Sequence, residues 1–286
     1  MSSVTPRLVL SRIQAAELLD AKSNGQLKVT VSPDLGLTQT EAVLSPAGVT
    51  FRGGSTVSWS SVEEIAAAKG ACFVVESGDL RPIQAFSSAT NRFCSLMATD
   101  SAPTLLVAGF PMHRIKNTDP YCDTLTKLQA VEPVVGQVLD TATGLGYTAI
   151  EASRTAEHVV TIELDPCVLS IARLNPWSQG LFGNPRITQV VGDSCEVVRG
   201  LSNGGFSRIL HDPPTFSLAG ELYSGEFYRQ LFRVLAPGGR VFHYTGDPSS
   251  ALGGRVTRGV IRRLREAGFA QVRPYPQAFG VVALKR

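Results

Sequence analysis

The chain has 286 residues, 43% of them hydrophobic and 18% charged, and its 27 Lys and Arg against 24 Asp and Glu leave a formal charge of +3. That is a globular composition long enough for two domains, and no apolar run approaches the roughly 18 residues of a membrane span. Cys72, Cys94, Cys122, Cys167 and Cys195 are an odd set without C-x-x-C spacing, which excludes a disulfide framework and a zinc knuckle; the start, from Met1 to Leu10, is too polar for a secretory signal. The protein is therefore read as cytoplasmic.

Over residues 1–111, short β-like runs at 27–31, 48–51, 71–75 and 104–107 alternate with helical stretches at 14–19 and 61–68. Ser61 followed by Glu64 predicts a capping box for the second helix. The result is a small α+β domain without a catalytic signature, whose expected role is substrate recognition or a homodimer contact. Turn formers at 109–121 mark its end, and a second domain over 112–286 follows a short capped helix at 123–128.

From residue 137 the pattern becomes regular. Strands are predicted at 137–140, 158–163, 187–191, 207–212 and 240–244, with helices at 148–153, 166–175, 196–201, 221–235 and 255–267 between and after them. Two strands close the chain, at 270–273 and 280–284, too near each other for a helical crossover and so antiparallel. Alternating apolar strands and helices predict an α/β, Rossmann-like, mostly parallel sheet with an antiparallel last strand.

Ligands of open α/β sheets sit outside the carboxyl ends of the strands, where strand order reverses. Asp140-Thr141-Ala142-Thr143-Gly144-Leu145-Gly146 ends the first strand of this domain, and its glycines let the backbone turn sharply against a ligand. Glu163 ends the next strand at the spacing at which a carboxylate accepts ribose hydroxyls, with Leu164 beside it. Asp193, followed by Ser194, is placed to accept from an adenine amine. Gly144 to Ala149 also satisfies the dinucleotide fingerprint G-x-G-x-x-A.

The fourth strand ends in His211-Asp212-Pro213-Pro214-Thr215-Phe216. An amide or base amine is a poor nucleophile because its lone pair is delocalised. Asp212 and the carbonyl of Pro213 can each accept one of its hydrogens, the two prolines fix the carbonyl's direction, and Phe216 offers a stacking face. His243, at the end of the neighbouring strand, is a candidate proton acceptor. A metal held by His211 and His243 lacks the ligand number and spacing.

These motifs together resemble class I S-adenosylmethionine-dependent methyltransferases over 112–286. The resemblance implies that Asp140, Thr141, Ala142, Gly144, Gly146, Glu163, Leu164, Asp193 and Ser194 hold S-adenosylmethionine. It places Asp212, Pro213, Pro214 and Phe216 along the target nitrogen, although Ala142 replaces a common glycine and Thr215 sets the aromatic one residue late. Met112 to Lys116, Leu139 to Ile150, Asn175 to Ser178 and Gly220 to Tyr228 resemble a group of archaeal and cyanobacterial-type predicted methyltransferases carrying the HDPPxF motif. Some RNA cytosine-C5 methyltransferases share the Asp-Pro-Pro-x-Phe spacing, but no cysteine nucleophile stands at 211–216 or 242–246.

The function expected is N-methylation of a planar amine. RNA is the first candidate substrate, ahead of protein or a small molecule, and no membrane is involved. The alternatives are an aminopropyltransferase of the spermidine synthase type, which shares the fold but whose polyamine would call for a second acidic cluster, and a non-catalytic nucleic-acid-binding protein on the same scaffold. Arg240, Arg255, Arg258, Arg262, Arg263, Arg265, Arg273, Lys285 and Arg286 make the C-terminal region basic, either as a phosphate-facing surface or as a solvated helix face.

Overall fold

A computed structural model describes residues 7–76 and 78–286; residues 1–6, where the chain start was read against a secretory signal, lie outside the described residues, as does Ser77. The chain forms two compact units. One runs through Tyr121 and takes in Cys167–Gln179, and the other comprises Cys122–Pro166 and Gly180–Arg286. The first unit reaches Tyr121, past the boundary expected at residue 111, and the stretch after Gly109 adds the strand Phe110–Pro111, paired with Thr104–Val107.

The first unit holds three small antiparallel sheets, of three, four and four strands. Its helix Arg12–Ser23 begins at a capping box in which the Ser11 hydroxyl accepts from the Ile13 amide and Gln14 Oε1 accepts from the Ser11 amide. The second helix, Trp59–Ala67, starts earlier than the Ser61–Glu64 pattern suggested. Ser58 is the cap: it is extended, at φ −68° and ψ 155°, and its hydroxyl accepts from the Ser61 amide. Trp59 fixes that start, because its ring is buried and its Nε1–H donates to the Ser45 carbonyl at 2.8 Å. Leu10, Leu18, Val62, Ile65 and Phe73 form the heart of this unit's core.

The C-terminal sheet is built from β1 (Gln137–Asp140), β2 (His158–Glu163), β3 (Ile187–Val191), β4 (Phe206–His211), β5 (Leu235–Tyr244), β6 (Ala270–Tyr275) and β7 (Gly280–Leu284). The helices are α1 (Pro120–Gln129), α2 (Tyr147–Ala152), α3 (Pro166–Leu174), α4 (Ser194–Gly200), α5 (Gly225–Val234) and α6 (Ala251–Glu266). Strand order is β3-β2-β1-β4-β5-β7-β6. β1 to β5 pair in parallel, and β7 runs antiparallel to both β5 and β6.

The central strands are apolar because a parallel sheet is covered on both faces. Leu139, Ile162, Ile209 and Val241 are fully buried with Val198 of α4, Leu231 of α5 and Val260 of α6. Each such side chain contributes about 1.5–3 kcal/mol on burial. The helix expected at 221–235 is broken in two: a 3₁₀ turn, Gly220–Tyr223, precedes α5, and Ser224 between them is extended and accepts from the Phe227 amide. The order reverses between β1 and β4, which puts the ends of these two strands at the place where ligands of such sheets bind.

Candidate active site

Four adjacent strands, β3, β2, β1 and β4, end in carboxylates: Asp193 two residues after β3, Glu163 and Asp140 as the last residues of β2 and β1, and Asp212 directly after β4. They form an acidic arc along the carboxyl edge of the sheet. Asp140 is 1% exposed; its Oδ2 accepts from the Thr161 hydroxyl at 2.9 Å and its Oδ1 from the Ala142 amide at 3.4 Å. Burial raises its pKa to about 7 against those two hydrogen bonds, and the charges of Asp212 and Glu163 add to the rise.

Glu163 ties β2 to the glycine turn. Its Oε2 accepts from the Gly144 amide at 2.8 Å and its Oε1 from the Asp165 amide at 3.0 Å. Burial pushes its pKa up to about 7 although both amides favour the charged form. Each carboxylate oxygen has two lone pairs, so both can still accept from a ribose hydroxyl. The turn needs its glycines: Gly144 has φ +53° and faces open space, and Gly146, at φ +79°, starts α2 where a Cβ would come within 2.7 Å of Leu181.

The other residues expected at the cofactor divide by role. Asp193 is exposed and caps α4, its Oδ1 accepting from the Cys195 amide at 2.7 Å. Thr141 and Ser194 are buried and turned to internal bonds, the Ser194 hydroxyl donating to the Thr141 carbonyl at 2.6 Å. Leu164 is 53% exposed.

At the end of β4, Asp212 Oδ2 lies 2.6 Å from Lys127 Nζ, whose other carboxylate partner is Asp123 Oδ2 at 2.7 Å. Lys127 and Asp123 are one helical turn apart on α1, and their side chains are 2% and 0% exposed. Burial pulls the ammonium's pKa down, but Asp212 and Asp123 more than reverse this and hold it above its ordinary value. The ammonium also lies 5.1 Å from the centre of the Tyr244 ring. Sequence reasoning missed Lys127; its signal was the i, i+4 pairing with Asp123 on one helix face.

The Asp-Pro-Pro segment is fastened by Tyr223, whose hydroxyl donates to the Pro214 carbonyl at 3.0 Å. Pro213 is buried, while Phe216 is 50% exposed and meets the Tyr223 ring edge-on at 5.4 Å between centroids. His211 Nε2 donates to the Leu222 carbonyl at 2.9 Å, which leaves Nδ1 to accept from the Thr141 hydroxyl at 2.6 Å. One neutral imidazole thus links the β1 turn to the turn before α5; burial lowers its pKa to about 4. His243 is enclosed by the rings of His211, Tyr223 and Tyr228, with Nε2 2.8 Å from the Tyr228 hydroxyl. Burial, and then the nearness of His211, hold its pKa well below the ordinary value, so the ring stays neutral in this packed layer.

Arg255, Arg258, Arg262 and Arg265 lie exposed on α6, with Arg262 3.7 Å from Glu266. No helix among the described residues is long and apolar enough to cross a membrane.

No protein-family model matches the chain. Over 234 residues it is 44% identical to an uncharacterised protein of Methanocaldococcus jannaschii, covering 80% of this chain and 78% of that protein. Over 155 residues it is 37% identical to a polyamine aminopropyltransferase of Mycobacterium tuberculosis, a stretch that makes up 51% of this chain and 29% of the relative. Among solved structures, spermidine synthase in complex with the transition-state analogue AdoDATO matches with a TM-score of 0.58 at 21% identity, over 70% of this chain and 71% of that one.

Proposed function

The chain belongs to the family of the Methanocaldococcus jannaschii protein and has the fold of spermidine synthase, and from this premise we propose that it transfers an alkyl group, an aminopropyl group in the first reading, from an adenosyl sulfonium to an amine. The observation that carries the reading is the acidic arc of Asp193, Glu163, Asp140 and Asp212. Decarboxylated S-adenosylmethionine is a cation at sulfur and again at its amine, and it has no carboxylate. Where its carboxylates are ionised the arc attracts both charges, whereas it repels the carboxylate of intact S-adenosylmethionine. The partial match to a polyamine aminopropyltransferase supports the same choice.

The residues fit such a donor by their chemistry. Glu163 has lone pairs for the ribose, Asp140 supplies negative charge beside the glycine turn, and that turn leaves open space at Gly144. Asp212 accepts a hydrogen from the acceptor amine and aims its lone pair, with Lys127 holding the carboxylate in place. The half-exposed Phe216 gives the acceptor's carbon chain an apolar wall. The donor supplies a carbon on positive sulfur: the amine lone pair forms the new N–C bond, the C–S pair returns to sulfur, and the nitrogen sheds one proton.

Methyl transfer from S-adenosylmethionine is the competing outcome. Incubation with each donor in turn, with putrescine as acceptor and mass spectrometry of the nucleoside product, separates the two. The proposal expects methylthioadenosine and an aminopropylated amine from the decarboxylated donor. S-adenosylhomocysteine from S-adenosylmethionine alone returns the methyl reading, and neither nucleoside overturns alkyl transfer to putrescine.

A further inference from the structure

Lys127 is an unusual neighbour for a group that must receive an amine. It is a fully buried ammonium 2.6 Å from Asp212 and 2.7 Å from Asp123. We infer that Lys127 and Asp123 are a positioning pair that sets the charge with which Asp212 meets the acceptor, and so the pH at which the acceptor amine becomes nucleophilic. The inference rests on the reading of the site as an alkyl transferase acting on amines.

An aliphatic amine is protonated at neutral pH, with a pKa near 10, and its ammonium form has no lone pair to attack with. A lone Asp212 carboxylate would stabilise the ammonium. Lys127, acting through Asp212, opposes that, and Asp123 limits how far, because it cancels part of the lysine's charge. The charged and titratable groups facing the cluster come from several elements. Lys127 has Asp123 on its own helix, Asp212 after β4, and the Tyr244 ring at the end of β5. Asp212 also acts electrostatically on Asp140 at the end of β1 and on Tyr223 in the turn before α5. His211, next to Asp212, is neutral.

The test is the pH profile of kcat in the full-length protein, with decarboxylated S-adenosylmethionine and putrescine as probes. The acid limb of that profile reports the ionisation of the bound acceptor. Lys127→Met adds one net negative charge and is expected to move the limb up by about one pH unit, while Asp123→Asn removes one and moves it down by a similar amount. The double variant restores the original charge and returns the limb to the wild-type position, as does Lys127→Arg alone. A merely structural role lowers the rate in all of them without moving the limb, and that result, or shifts of one sign in both single variants, overturns the inference. If Lys127→Met does not fold, Asp123→Asn and Lys127→Arg still give opposite expectations, a shift against none. Absence of transfer by the wild-type protein overturns the underlying reading and this inference with it, whereas transfer with unmoved limbs overturns the inference alone.

Discussion

In the proposed reaction Asp212 is where the strand edge meets the acceptor, so its removal should separate chemistry from donor binding. Asp212→Ala is expected to lower turnover by roughly 10²–10³ while leaving donor affinity nearly unchanged, about what the loss of one preorganised polar contact costs. Asp212→Asn is expected to be milder, because its amide oxygen still accepts a hydrogen bond. Steady-state rates beside calorimetric donor affinities check this, and a wild-type rate in the Ala variant contradicts it. Asp140 and Glu163 make a second prediction. Both hold their protons to about pH 7 in the folded chain but ionise near 4 when unfolded. The folded state therefore binds more protons in that window, so these groups' contribution to stability falls as pH rises from about 4 to about 7 and is level above. A cation seated beside them favours the ionised forms, so donor affinity should rise from about pH 5 to about pH 8, with proton release. Calorimetry in buffers of different ionisation heat measures this, and an affinity flat across the window contradicts it. The arc was legible in the sequence because a parallel strand reads as an apolar run, and the polar residue that ends it stands out. Lys127 was not, because its partner Asp212 is 85 residues away and Asp123, Thr124 and Lys127 put polar side chains on a buried helix face.

The turn of β1 into α2 and the turn before α5 are the two elements that shape the site, and His211 joins them through Thr141 and Leu222. Tyr223 holds the second of these to the Asp-Pro-Pro segment. Tyr223→Phe removes one neutral hydrogen bond, so it is expected to destabilise the protein by only about 1 kcal/mol. Its larger effect should fall on acceptor KM and kcat, because Pro214 and Phe216 lose their tether while the donor turn is untouched. Equal losses in donor affinity and acceptor kinetics would contradict that division. Most strands of this sheet were readable to within a residue or two, since Val138, Leu139, Ile209 and Leu210 are adjacent apolar pairs at strand centres, but β5 begins at Leu235, before the start expected at Arg240. Helix starts were less so. Ser58 caps in place of Ser61 because burial of Trp59 sets where that helix begins, and Ser224 splits a stretch whose apolar spacing alone suggested one helix.

On the scale of the whole molecule, the division into two units does not follow a single cut in the sequence. Cys167–Gln179, which takes in most of the helix expected at 166–175 and part of the 3₁₀ turn after it, belongs with the first unit, where the Trp177 Nε1–H donates to the Leu35 carbonyl at 3.0 Å. Periodicity predicted the helix correctly and could not reveal that partner, which lies 142 positions away. The first unit's sheets were also only partly legible, because strands as short as Thr56–Ser58 and Asp79–Pro82 carry too few residues to display alternation. The arc of Asp193, Glu163, Asp140 and Asp212, the proposed donor site, lies wholly within the second unit. If this arc selects a sulfonium donor that has lost its carboxylate, titration calorimetry at pH 8 with decarboxylated and intact S-adenosylmethionine will show it. The decarboxylated form is expected to bind at least about tenfold more tightly, a difference of roughly 1.4 kcal/mol, and Asp140→Asn to narrow the gap. Tighter binding of intact S-adenosylmethionine would contradict it.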